Sequence, residues 1–579
     1  MTESVSNDLH SRWGRSLNSY PKLYTNKALA DRLKVPVKAK DRAASRTLAL
    51  SAIQEICTLS DPAIEPTAYS DIVENITLSK LASILELTRF PDEYENLALP
   101  MLVAGCIELL SSVTPSPFAC EYGYLCFRAL IFALNTCLLK YAEIWEGTIA
   151  LIESTPPNQR LLRFWDRSAQ IILEEAFQYD FEKKEAFNVQ SNPPRRWSIP
   201  CFDQGKLDKL LSVLHSDRKN FLIALRDTGS LGLSALFFIT KKHMESKRAS
   251  MSKAEYVEKV FLPYCRVFYR YQVVLPDLGP ERFVSRSLFP ADMNGISDSL
   301  FIDTEDSRNI LRAYISSVQS PGHCGKLIFA DGLPLSFIIL HALSGCEDLI
   351  PDMFEATIRV LWDILLIDST RVQTLDHYVR CVMYNFCCVL SYLKAKVTHS
   401  RTIEHSWIYK LTDKIVENDV VGLILRSTLL KSTTEPDDSE WGRNAPHEWT
   451  SSRQFLNLTT FLPPHYVSDR IRKSGALCDW FRYHMHLDPL ALDCLQGGPT
   501  GPGLTIQGLA ARLIPHFCSE LVGDQLQDSM LLLDLNKMCE NPRCPAPFKA
   551  GITHGRVKQD GTYCSSRCID MDCMDSRLE

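Results

Sequence analysis

The chain has 579 residues, 45 % hydrophobic and 23 % charged, an ordinary globular composition that excludes wholesale disorder and permits a large buried core. At roughly 150 residues per domain this is about four domains' worth of chain, or one continuous helical array. A formal charge of −6 gives no global basic field of the kind that gathers nucleic acid.

The first residues, Met1-Thr-Glu-Ser-Val-Ser-Asn-Asp8, lack a basic region followed by an apolar core, so no secretory signal is expected. The first 50 residues hold ten Lys and Arg against four acids. Residues 1–40 therefore read as a basic, partly disordered arm, with Lys34 to Arg42 a weak nuclear-import patch.

Residues 41–430 read as an α-helical body. Leu81, Ile84, Leu85 and Thr88 recur at three- and four-residue spacing, which predicts one apolar stripe on a helix. The same spacing joins Leu99, Leu102, Val103, Cys106, Ile107 and Leu110, and again Phe354, Ile358, Leu361, Trp362 and Leu365. Asp71 to Glu74 and Ser252 to Glu255 have capping-box spacing and predict helix starts. Residues 275–305, with Pro276, Pro280 and Pro290, form the longest irregular stretch. Residues 431–450 read as a polar linker and 451–538 as a helical extension, interrupted at Gly497 to Gly503.

The predicted fold class is all-α, an irregular armadillo- or HEAT-like helical-repeat array or a helical bundle. No residue signature recurs at a fixed period, so the repeat reading rests on rhythm. The longest uncharged apolar stretches, Gly332 to Cys346 and Cys381 to Leu393, fall short of the roughly 20 residues that span a bilayer. They read as buried helices, and no membrane association is expected.

Residues 539–579 form a cysteine-rich tail. Of 20 cysteines, five lie in these 41 positions. In a chain without a signal peptide the thiols stay reduced, so clustered cysteines point to metal rather than disulfides. Cys539 and Cys544 enclose a loop containing Pro542, and Cys564 and Cys568 lie four apart, on one face of a helix starting near Cys564. Four soft ligands in two close pairs suit tetrahedral zinc. Between the pairs, Val557-Lys-Gln-Asp-Gly-Thr-Tyr563 has an Asp-Gly turn flanked by strand formers, which predicts a hairpin. Knuckle, hairpin and helix start together make a treble-clef-like module with one structural Zn²⁺ held by Cys539, Cys544, Cys564 and Cys568. His554 and Cys573 are spare thiol and imidazole groups near that site.

Tyr563-Cys564-Ser565-Ser566-Arg567-Cys568 resembles the Tyr-Cys-Ser-x-x-Cys segment of MYND-type zinc fingers, and the resemblance covers about 35 residues. Modules of that family hold two zinc ions from four interleaved cysteine-rich pairs, so Cys539 and Cys544 correspond to the first pair and Cys564 and Cys568 to the third. The second Cys-x2-Cys pair is missing, the first pair encloses four residues rather than two, and no Gln…Asp-Trp…His…Cys follows Cys568. The resemblance is therefore to half a module with one zinc. Family modules dock partner peptides and carry out no chemistry. The long helical body ending in such a tail also looks like fungal proteins of this architecture.

Enzyme signatures are incomplete. Ser320-Pro-Gly-His-Cys-Gly-Lys326-Leu327 lacks both the first Gly and the final hydroxyl of a phosphate loop. His447-Glu448 lacks the second His of a zincin, and Asp227-Thr-Gly-Ser-Leu-Gly232 lacks the first Gly of a nucleophile elbow. His484 and His486, near Cys478 and Asp488, diverge on a helix and share a metal only in a strand or loop. Cys387 and Cys388 sit in an apolar helix where thiols behave as small hydrophobes. Arg195 to Ser198 and Lys247 to Ser250 are short basic-x-Ser sites.

The expectation is a non-enzymatic intracellular scaffold, cytoplasmic or nuclear, that docks a protein or peptide partner. The alternatives are an enzyme whose site is assembled from scattered helical residues and a nucleic-acid-associated regulator acting through the tail. The tail's six basic and six acidic residues argue against nucleic acid.

Overall fold

In a computed structural model the chain divides into two compact units, residues 1–302 and 303–579. The structure describes residues 10–185, 204–229, 231–275, 279–288, 302–319, 345–366, 375–397, 406–429, 451–474, 556–558 and 561–563, with single residues 335, 338, 517, 520 and 521. The fold is all-α, and the division falls inside the stretch read from sequence as one body. Among the described residues the only strands are Arg556–Lys558 and Gly561–Tyr563.

Unit 1 is organised around one enclosed helix. Its helices are α1 (Asn26–Lys34), α2 (Ala39–Thr58), α3 (Pro66–Asn75), α4 (Leu78–Leu87), α5 (Pro100–Ser112) and α6 (Glu121–Tyr141). They continue as α7 (Trp145–Glu153), α8 (Pro157–Glu185), α9 (Gln204–Ser216), α10 (Arg218–Thr228) and α11 (Ser234–Arg248). The last are α12 (Lys253–Tyr256), α13 (Leu262–Val274) and α14 (Gly279–Ser287). Every side chain of α6 from Glu121 to Leu139 is buried, with α4, α5, α8 and α11 packed around it. By length and a mean hydropathy of 1.4 this helix could cross a membrane, but 94 % of that window is buried by its neighbours. Each fully buried Leu or Phe on α6 contributes about 1.5–3 kcal/mol to the stability of the unit.

Aromatic rings fix the packing on two sides of α6. Phe132 stacks on Phe164 of α8 at 4.5 Å, with Tyr94 edge-on to both and Trp165 edge-on to Phe132. On another side Phe118, Phe127 and Phe221 meet edge to face at 5.1–5.7 Å. Gly105 lets α5 lie against α2, since a Cβ there would sit 1.9 Å from the Ile56 carbonyl oxygen.

The sequence stripes hold, with exceptions that have local causes. Leu102, Val103, Cys106, Ile107 and Leu110 are buried on α5, whereas Leu99 is the exposed residue preceding it. Ser252 caps α12 by accepting from the Glu255 N–H, as its spacing predicts. Asp71 is not a helix start, because Pro66 begins α3 five residues earlier with its φ already set for a first turn. The stretch 275–305 is not wholly irregular either, since Pro280 falls in the first turn of α14, where a missing N–H costs nothing. Between α12 and α13 the backbone takes one π-turn, Val257–Phe261, with the Leu262 N–H reaching back to the Val257 carbonyl just ahead of Pro263.

Of the basic segment read as an arm, residues 10–24 fold onto the start of α6 and the turn before it, and α1 packs on α8. Tyr20 is fully buried and its hydroxyl donates to the Phe118 carbonyl at 2.8 Å. Glu121 accepts from the Arg15 backbone and guanidinium and, at 2.7 Å, from the Tyr24 hydroxyl. Trp13 sits edge-on to Tyr122. The aromatic residues between the cations supply the buried surface that their charge count conceals.

In unit 2 the helix Ile350–Leu366 buries Phe354, Ile358, Leu361 and Leu365, while half-buried Trp362 donates its indole N–H to the Asn418 carbonyl at 2.7 Å. That helix packs against Thr304–Gln319 and Ser406–Glu417, and Leu375–Val397 packs against Ser451–Thr459. Asp419, at φ 44, ends the helix Ser406–Glu417 in the left-handed region, and its carboxylate then caps Val420–Leu429 through the Gly422 N–H at 3.0 Å.

Candidate functional site

The residues expected to hold zinc, Cys539, Cys544, Cys564 and Cys568, lie outside the described residues, as do His554 and Cys573. What is described lies between the two cysteine pairs. The strands Arg556–Lys558 and Gly561–Tyr563 pair antiparallel in the register Arg556↔Tyr563, Val557↔Thr562 and Lys558↔Gly561. The two strands pair as the predicted hairpin requires. Its second strand ends on Tyr563, so the hairpin delivers the chain directly into Cys564. Three-by-three pairing is too short to be stable alone in water.

Among the described residues no three His, Cys, Asp or Glu side chains are grouped so as to hold a metal ion. Ser320–Leu327, His447-Glu448, the His484/His486 segment and Ser198 lie outside them. Ser250 is exposed in the turn after α11, with its hydroxyl on the Lys247 carbonyl at 3.1 Å. Cys387 is buried, bonded to the Gln454 carbonyl, and burial pushes its thiol up to about 12, which leaves it a packing group.

Asp227 to Gly232 has a structural explanation. Gly229 ends α10 in the left-handed region at φ 63, and Gly232 at φ 84 lies so close to Trp165 that a Cβ would sit 2.3 Å from the ring. The loop they shape is clamped by buried polar groups. Arg128 donates to the Leu231 carbonyl at 2.8 Å and Asn135 to the Gly232 carbonyl at 2.9 Å, while Ser168 bonds to Asn135. Glu281, from α14, accepts from the Leu233 and Ser234 N–H groups and from the Tyr271 hydroxyl at 3.0 Å. Burial raises the Glu281 carboxyl above its usual range, against these hydrogen bonds.

Beside this network unit 1 contains a cavity of about 90 Å³. Its walls include Tyr24, Leu33, Leu85, Arg128, Phe132 and Trp165. Arg32, Glu86 and Arg89 stand at its rim. No sequence motif marks it. The one sign in the sequence is Arg128 itself, a lone charge within the apolar run Leu125 to Leu134.

Two other ionisable groups are placed without an evident task. His243 lies 2.7 Å from an Asp208 carboxylate oxygen, but among the described residues no hydroxyl or thiol is bonded to it, so the pair lacks a nucleophile. His215 is held down to about 4 by burial and by the neighbouring Arg218, Arg266 and Arg270, which keeps it neutral near pH 7.

No protein family's sequence profile, no characterised protein and no solved structure matches the chain.

Proposed function

We propose that the chain is a non-catalytic interaction protein in which a helical body carries a C-terminal zinc module that docks a partner peptide. One structural Zn²⁺ would be held by the thiolates of Cys539, Cys544, Cys564 and Cys568, tetrahedrally and with no open position for substrate. The observation that carries this reading is the hairpin at Arg556–Tyr563, which lies between the two cysteine pairs and ends at the residue before Cys564. So short a hairpin needs an external source of stability, and metal binding supplies on the order of 10 kcal/mol in small modules of this kind. Thiolate ligation requires reduced cysteines and favours an intracellular setting, cytoplasmic or nuclear.

For the body, the reading we favour is an irregular bundle rather than a repeat array. In a solenoid each repeat touches only its neighbours. In unit 1, α8 packs on α14, α5 on α9 and α6 on α11, so the contacts run across long stretches of sequence.

Metal analysis of the purified full chain tests the proposal. About one zinc per chain, lost in the Cys564→Ser/Cys568→Ser variant, is the expected result. A wild-type chain purified from zinc-supplemented cells that carries no zinc and takes up none would overturn it.

A further inference from the structure

Arg128 is a charged residue in the middle of the most enclosed helix of unit 1, with 9 % of its surface exposed. Its guanidinium carries five N–H donors. The hydrogen bond it makes is from Nη1 to the Leu231 carbonyl at 2.8 Å, and the group lies 5.3 Å from the centre of the Trp165 ring. No carboxylate oxygen of a described residue lies within 4.0 Å of it. Glu281 is near enough to feel its charge, but that carboxylate is committed to the Leu233 and Ser234 N–H groups and the Tyr271 hydroxyl. Burial in turn pulls the Arg128 pKa down. A buried cation that lacks a close counter-ion is costly unless something else supplies the anion.

The same side chain forms part of the wall of the 90 Å³ cavity, facing Phe132, Trp165, Leu85, Leu33 and Tyr24. The rim cations are already engaged. Arg89 bonds to Glu86 and to the carbonyls of Arg32 and Val35, and exposed Arg32 bonds to the Leu23 carbonyl and lies over the Tyr24 ring. One interior cation with no close carboxylate partner among the described residues, apolar walls and a small volume define the chemistry that fits. We propose that this cavity binds a small monoanionic carboxylate with a short apolar or aromatic tail, its oxygens accepting from Arg128 and its tail lying against Trp165, Phe132 and Leu85. A phosphate dianion would bring a second charge that no interior group balances. The cavity has room for on the order of half a dozen water molecules, which limits the tail to about five to seven carbons. Beside the cavity, α1 has no fully buried residue and is held by Arg89, which donates to the Arg32 and Val35 carbonyls.

Ligand-observed NMR titration of the full chain with benzoate and with its neutral isostere benzamide tests the assignment. Benzoate should bind with a Kd on the order of 1 mM or tighter, and benzamide at least about tenfold more weakly, because only the acid pairs with the guanidinium. Arg128→Met should bring benzoate down to the level of benzamide. The proposal is overturned if neither benzoate nor hexanoate binds at about 10 mM, if acid and amide bind alike, or if folded Arg128→Met keeps the preference for the acid. Should Arg128→Met fail to fold for want of the Leu231 contact, Leu85→Trp decides. That variant fills the cavity from a half-buried position on α4 and should abolish benzoate binding with the fold retained, whereas undiminished binding would refute the site.

Discussion

Helix α6 and the hairpin Arg556–Tyr563 reach order by opposite routes. From Glu121 to Leu139 every side chain of α6 is inside the unit, so its structure follows from apolar area removed from water. The hairpin pairs three residues with three, too few to be stable alone in water. The comparison teaches that a single chain can divide its stability between burial and, in our reading, metal. Perturbations of one region should then leave the other nearly untouched.

Chelation is the strongest way to break the comparison. Removing zinc from the full chain should abolish amide protection at residues 556–563, while protection in α6 and the melting of unit 1 stay unchanged. If α6 lost protection as well, the two regions would not be independent. Phe132→Ala should do the reverse. It removes the ring that stacks on Phe164 and meets Tyr94 and Trp165, so urea unfolding of unit 1 should lose about 3–5 kcal/mol with zinc content unaltered.

Smaller changes sharpen the account of what holds unit 1 together. Glu121→Gln weakens the tie to Arg15 and Tyr24 and should cost about 1–3 kcal/mol, with faster exchange in residues 10–24. His215 supplies a pH signature. Its folded pKa of about 4 lies below the ordinary 6.5, so above about pH 6.5 the ring is neutral in both states and adds no pH dependence. Between about 6.5 and 4 the unfolded chain takes up a proton that the folded ring refuses, so stability falls as the pH drops. Allowing for solvent at the half-buried ring, the loss is on the order of 1–2 kcal/mol, and His215→Gln should flatten that part of the profile. Ser252→Ala removes the cap of α12 and should cost about 0.5–1 kcal/mol by thermal unfolding.

Local features were the legible ones. The stripe from Leu102 to Leu110, the Ser252 cap and the hairpin ahead of Cys564 each depend on residues a few positions apart. The features that sequence reasoning missed depend on partners far along the chain. Trp13, Tyr20 and Tyr24 fold the basic segment because Phe118, Glu121 and Tyr122 receive them, about 100 residues away. Residues Glu121 to Tyr141 do not stand out in the sequence as the central helix, because Arg128 and Lys140 interrupt their apolar run. Proline misleads at Pro280, which lies in the first turn of α14 rather than in a break. The Arg128 cavity draws its walls from α1, α4, α6 and α8 and from Tyr24 ahead of α1, and no spacing rule joins those residues.

The zinc reading meets its most direct test in thiol protection, mapped by alkylation of the native full chain and peptide mass analysis with and without a chelator. Cys539, Cys544, Cys564 and Cys568 should resist modification until the metal is removed, while Cys573 reacts in both states. Equal reactivity of all five before chelation, or protection of Cys573 in place of one of the four, would contradict the account.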